Sequence, residues 1–171
     1  MKRLLTLCAA FLLLGLGLSA QVRSYADNAS KAFVIGLDTY FFGAEGSLDF
    51  TAGGQSFTAS LSNGSVSLAS QELENGGGDV LVGIHDFTNN RNPEFVVARR
   101  NGETICANVY ALSGGKWKAI GRIGATGGKE IRVFRQAFTI RSGEALYTWT
   151  WHGSAFDFKA SDGSSDPTPA L

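Results

Sequence analysis

The sequence predicts an all-β domain, and three observations carry that prediction. Short runs rich in Val, Ile, Thr, Phe and Trp follow one another along the chain. Glycine-bearing turns separate them, drawing on 22 glycines. Past the N-terminus no stretch places apolar residues at the 3.6-residue period of an amphipathic helix.

In chain order, residues 1–20 come first and read as a signal peptide. Lys2 and Arg3 open it, Leu4 to Leu18 is almost unbroken apolar chain, and "LSAQ" offers a small-residue cut after Ala20. The apolar run is shorter than the roughly 20 residues a helix needs to cross a bilayer. The expectation is therefore export to the periplasm or the medium, with no membrane span. Cleavage leaves 151 of the 171 residues, about one domain. Residues 21–30 form an N-terminal lead, 31–160 a single β domain, and 161–171, "SDGSSDPTPAL", a disordered tail.

Within the domain the β-prone runs are "KAFVIGL", "SLDFTAGGQSFTASLSNGSVSLAS", "DVLVGIHDF", "EFVVARR", "ETICANVYALSGGKWKAIG" and "EIRVFRQAFTIRSGEALYTWTWHGSAFDFKA". Three hairpins are explicit. Asn63–Gly64 is a favoured two-residue turn because both residues tolerate positive φ. Gly114–Gly115 and His152–Gly153 repeat the pattern, each followed by an aromatic strand with Trp117 or Phe156. "ASQELENGGG" is compatible with one helical turn. Strand, turn and aromatic strand in succession predict antiparallel hairpins in a propeller-like, partial-propeller or sandwich arrangement, with room for at most three four-stranded units.

Charge divides the chain. Residues 21–94 hold 3 basic and 9 acidic groups, whereas 95–141 hold 9 basic and 2 acidic. A basic middle asks for an acidic partner, either elsewhere or in the N-terminal half of the same chain. Removing the leader removes Cys8, so Cys106 stands alone and no internal disulfide can form. It lies mid-strand in "TICANVYA", where a buried thiol is expected.

The stretch "DFTNNRNPEFVV" places Asp86, Thr88, Asn90, Asn92 and Glu94 at offsets 1, 3, 5, 7 and 9 of a tight turn that leads into a strand. Calcium prefers six to eight oxygens, and alternating side chains in such a loop supply them. This pattern resembles the loop of FG-GAP and VCBS-type repeats, D-x-D-x-D-G-x-x-[DE] followed by an apolar strand. The likeness is specific over about 79–100 and looser to 160. It implies a propeller-like blade whose loop residues at positions 1, 3, 5 and 9 bind calcium. Asp86 and Glu94 match the first and last ligands. Thr88 and Asn90 are neutral where aspartates are usual, and Arg91 occupies the glycine position. The implied cofactor is therefore no ion or weakly bound calcium. A hydrogen-bond network through Asn90 and Asn92, or the Arg91 guanidinium, would replace its charge.

Other constellations point away from catalysis. Asp86 and Glu94 lie on one turn rather than opposed across a cleft, as glycoside hydrolysis requires. His85 reads as a structural histidine, and neither a G-x-S-x-G elbow nor zinc-ligand spacing occurs. Tyr147, Trp149 and Trp151 share one strand face, either as core or as a platform for sugar rings. No catalytic residue is assigned. The expected function is a non-catalytic, exported binding module whose partner is another envelope or extracellular protein, without nucleic acid. Short periplasmic proteins similar to these repeats can neutralise cell-wall hydrolases, which makes an inhibitor or immunity protein the sharpest form of that expectation. The alternative is a carbohydrate-binding or carbohydrate-active accessory protein using Tyr147, Trp149 and Trp151. Exposure of Trp149 and Trp151 separates the two.

Overall fold

Asn63 and Gly64 sit at φ 50° and 80°, and Gly114 and Gly115 at 60° and 75°. These paired left-handed residues match the twist of the strands they join. Turns of this kind organise a chain that the computed structural model describes from residue 32 to 170. The expected leader and N-terminal lead, residues 1–30, lie outside the described residues.

Fourteen strands and no helix occur among the described residues. Three successive four-stranded antiparallel meanders make up the body. The N-terminal sheet holds β3 (Glu45–Ala52), β4 (Gln55–Ser62), β5 (Ser65–Leu68) and β6 (Gln71–Asn75). The middle sheet holds β7 (Asp79–His85), β8 (Glu94–Asn101), β9 (Thr104–Ser113) and β10 (Lys116–Thr126), with β2 (Thr39–Phe42) added beside β7. The C-terminal sheet holds β11 (Gly128–Phe134), β12 (Ala137–Ser142), β13 (Ala145–Trp151) and β14 (Phe156–Ala160). Its other edge gains β1 (Val34–Ile35), which runs parallel to β11. Among the described residues no sheet closes into a barrel, and the all-β class with antiparallel hairpins expected from the sequence is the one observed.

The middle sheet is buried on both faces. Leu81, Val96, Ala98, Ile105, Ala107, Val109 and Ile123 meet Ile131, Phe138, Ile140 and Trp149 of the C-terminal sheet. Their chain neighbours Val80, Val82, Phe95 and Val97, with Tyr110 and Trp117, meet Leu48, Phe50, Leu61, Val66 and Leu68 of the N-terminal sheet. Alternation along a strand sends successive side chains to opposite faces, so a strand covered twice reads as continuous apolar chain. That explains "EFVVA", buried at every position, where the outer strand "EGSLDFTA" alternates exposed and buried residues after its start.

Two expectations change. "QELEN" is a strand, β6, rather than a helical turn. The turn left-handed at Ala69 and Ser70 (φ 51° and 64°) closes a hairpin, with Leu68 opposite Gln71. Residues 161–170, read as a disordered tail, follow a defined path against the domain. Ser161 N–H donates to Leu146 O at 3.0 Å. The Trp149 indole N–H donates to the Asp166 carboxylate at 3.1 and 3.3 Å, and Pro169 lies against Gly124 of β10. Polar composition hid this because the anchor is a single buried indole that needs an acceptor.

Trp149 is 1% exposed, so removing its acceptor strands a buried donor. Asp166→Ala is expected to lower stability by about 1–3 kcal/mol in urea unfolding. An unchanged midpoint would mean that the tail rides free.

Candidate functional site

The loop between β7 and β8 folds around its own carboxylates. Asp86 Oδ1 accepts the Asn90 N–H at 3.1 Å and Oδ2 the Arg91 N–H at 2.8 Å. Glu94 Oε2 accepts the Phe87 N–H at 2.8 Å and the Thr88 N–H at 3.2 Å, while Oε1 accepts the Thr88 hydroxyl at 3.0 Å. Asn90 Oδ1 takes the Asn92 N–H at 2.7 Å, and Asn92 Oδ1 takes the Gly53 N–H at 2.9 Å. The last of these ties the loop to the β3–β4 turn of the N-terminal sheet. Asn89 and Arg91 stand at φ 56° and 68°, a region where glycine is at ease and other residues are strained.

The five positions of the proposed ligand set thus lie along one loop and the first residue of β8. The carboxylate oxygens of Asp86 and Glu94 meet backbone N–H groups, except Glu94 Oε1, which meets the Thr88 hydroxyl. The sequence suggested that the Arg91 guanidinium could stand in for an ion. The contact to Asp86 is made by the Arg91 main-chain N–H, beside a network that runs through Asn90 and Asn92. No group of three or more His, Cys, Asp or Glu suited to a metal occurs among the described residues. Glu94 is 3% exposed. Burial raises its carboxyl above the ordinary range; hydrogen bonds from Thr88 and Phe87 lower it, and the nearby Asp86 charge raises it further.

The aromatic strand divides between core and margin. Tyr147, Trp149 and Trp151 do share a face, but it is the face packed on the middle sheet. Trp149 is 1% exposed and joins the core, while Tyr147 and Trp151 are half-buried against it. Trp149 meets Phe158 of β14 at a tilt of 52°, and Trp151 meets Phe156 edge to face. A sugar ring could not reach the central indole, so Trp149 belongs to the core, while Tyr147 and Trp151 keep partly exposed edges.

His85 bridges two sheets. Its Nε2 donates to the Arg135 carbonyl at 2.6 Å, and Phe87 meets its ring edge-on at 4.6 Å. Nδ1 lies 3.3 Å from Asp38 Oδ1, within ion-pair reach when protonated but not aligned for a hydrogen bond. Cys106 is half-buried on β9, and desolvation pushes its thiol up, away from the nucleophilic thiolate.

A polar centre that the sequence did not single out joins the N-terminal and middle sheets. Glu74 Oε2 accepts Arg99 Nε at 3.0 Å, and Oε1 accepts the Asn108 amide at 2.7 Å and the Tyr110 hydroxyl at 2.8 Å. Arg99 also donates to the Gly76 and Gly64 carbonyls. Burial and the Glu74 carboxylate hold the Tyr110 hydroxyl far above its usual range. Together with Arg100–Asp79 at 2.6 Å, these contacts pair part of the basic middle segment with the acidic N-terminal half. The charge asymmetry was the available signal; the pairing needed the fold.

No family model, curated protein or solved structure matches this chain. The likeness to VCBS and FG-GAP repeats therefore stands on the loop residues and the strand after them.

Two outcomes follow from the loop. A group whose folded pKa is raised loses stabilisation as pH climbs from the ordinary carboxylate range through the folded value, since the fold then holds the less favoured ion. Stability of the natural chain should accordingly carry a falling component above about pH 4.3 that Glu94→Gln removes. Equal pH slopes in urea titrations of the two proteins would count against it. For calcium, a ligand at a hundred times its Kd stabilises by about 2.7 kcal/mol. Millimolar calcium should give the natural chain well under half of that. Thr88→Asp, Asn90→Asp and Arg91→Gly together should make melting clearly calcium-dependent. Loss of several degrees in chelator by the natural chain would show an ion already bound.

Proposed function

We propose that the exported domain is a non-catalytic binding module and that it acts as an inhibitor or immunity protein for a cell-wall hydrolase. The observation that carries this reading is the β9–β10 hairpin. β8 pairs with β9 only as far as Tyr110, whereas β9 and β10 continue together to Ser113 and Lys116. The hairpin end, residues 111–118, therefore reaches past its neighbour.

Its chemistry is cationic and its shape is fixed. Lys116 and Lys118 are exposed, and Trp117 between them is 2% exposed. The indole packs on Phe57 at 5.2 Å and Phe50 at 5.7 Å, and Gln71 Nε2 donates to the Trp117 carbonyl at 3.0 Å. The backbone that presents the two lysines is thus fixed before binding, and only their side chains, at about 0.5–1.5 kcal/mol each, remain to be ordered. They suit an acidic cleft such as the paired carboxylates of a glycoside hydrolase. The VCBS-like loop fits the same reading as a rigid brace, since Asn92 clamps the middle sheet to the N-terminal sheet near the hairpin's partner strands.

The test is titration of lysozyme-type muramidases and other peptidoglycan hydrolases with the exported chain, following turnover. Turnover should fall with added protein. Lys116→Glu with Lys118→Glu should weaken inhibition about tenfold or more at unchanged melting temperature, and added salt should weaken it further. If no hydrolase class is inhibited, the reading is wrong.

A further inference from the structure

Two large apolar side chains stand exposed among the described residues, Phe134 at 68% and Ile35 at 45%, and they are neighbours. β1 runs parallel to β11 with Ile35 beside Arg132. Val34 and Val133 enter the core, so Ile35, Arg132 and Phe134 share the outer face of the C-terminal sheet. Phe134 ends its strand at the β11–β12 turn, where it pairs with Ala137.

The turn is preset. Arg135 holds φ at 53°, its carbonyl accepts the His85 ring N–H at 2.6 Å, and its guanidinium carbon lies 5.2 Å over the Phe134 ring. Arg132, with a side chain 66% exposed, keeps its Nε on Glu130 at 2.6 Å. Across a shallow depression of about 420 Å³, Arg141 stands on β12. The acids on this face are Glu130, already bridged, and Asp157 on β14; Asp38 lies near His85 behind the turn.

One exposed apolar residue is ordinary. Two on one face, diagonal across the β1–β11 register, with Arg135 on the turn and Arg132 and Arg141 along β11 and β12, match a particular kind of surface. Their area is far below the roughly 800 Å² a side that a stable protein interface covers. A second copy docked face to face would oppose Arg132, Arg135 and Arg141 to their own equivalents. A bilayer has neither objection. It accepts small apolar prongs at the boundary between headgroups and acyl chains, arginine stems lie along that boundary, and guanidinium groups pair with phosphate.

We propose that the Ile35–Phe134 face of the C-terminal sheet docks reversibly on an anionic phospholipid surface, with the two apolar side chains inserted and Arg132, Arg135 and Arg141 on lipid phosphates. The inference rests on export of the domain and not on the hydrolase reading, whose hairpin lies on a different sheet.

The experiment is co-sedimentation of the exported chain with vesicles of phosphatidylglycerol and phosphatidylcholine in equal parts, against vesicles of phosphatidylcholine alone. Binding to the anionic vesicles is expected, with release at high salt. Phe134→Ser should cut apparent affinity about tenfold, and Arg132→Glu with Arg135→Glu should abolish pelleting. Lys116→Glu with Lys118→Glu should leave it unchanged. Melting curves check that each variant folds, and Ile35→Ser provides a second apolar deletion should Phe134→Ser fail to fold. The proposal is overturned if the natural chain stays in the supernatant, or if the hairpin lysines matter as much as the arginines. It is also overturned if Phe134→Ser abolishes hydrolase inhibition while vesicles are ignored, which would assign the face to a protein partner.

Discussion

Everything in this domain depends on the middle sheet being covered on both faces. β7, β8 and β9 are the strands from which two cores are built, one toward each outer sheet. Burial on both faces leaves little tolerance for polar side chains, and two charged ones on β8 show how it is met. Glu94 begins β8 as a buried acid and is held by three donors of its own loop. Arg99 near the other end of the same strand meets Glu74 and two carbonyls. Leaving either group without its partners would strand a buried charge, at a cost well above that of an exposed ion pair.

That constraint also accounts for the loop. In a calcium-dependent turn the ion gathers carboxylates that would otherwise repel. Here Asp86 and Glu94 are gathered by backbone N–H groups, and the left-handed residues Asn89 and Arg91 aim those groups inward. The turn carries two negative side chains, each met by donors of its own loop. Asn92 then uses the loop as a clamp between sheets.

The outer sheets carry the freedom that the middle sheet lacks. The N-terminal sheet, 45–75, contains Glu45, Asp49, Glu72 and Glu74 and no lysine or arginine. The C-terminal sheet presents arginines and the Phe134 turn. The lysine-bearing hairpin of the middle sheet extends where β8 no longer accompanies it. The exposed lysines and the Phe134 turn thus sit at the periphery of a scaffold whose centre is committed to packing.

Much of the fold was legible in the residues themselves. Glycine and asparagine at turns fix φ locally, and β-branched runs between them have one comfortable conformation, so the all-β class, the turns at Asn63–Gly64 and Gly114–Gly115, and the tight loop at 86–94 need no long-range information. What only the tertiary structure decided is which faces are covered. Tyr147, Trp149 and Trp151 alternate identically whether they form a core or a sugar platform, and only docking on the middle sheet buries Trp149. "QELEN" carries residues that suit helix or strand, and its place at the end of a meander made it β6. Asp166 belongs to a polar tail until a buried indole 17 residues away supplies a donor. Local sequence sets backbone geometry because φ preferences act within a few residues. Burial depends on contacts distant in sequence, and those exist only once the three sheets have stacked.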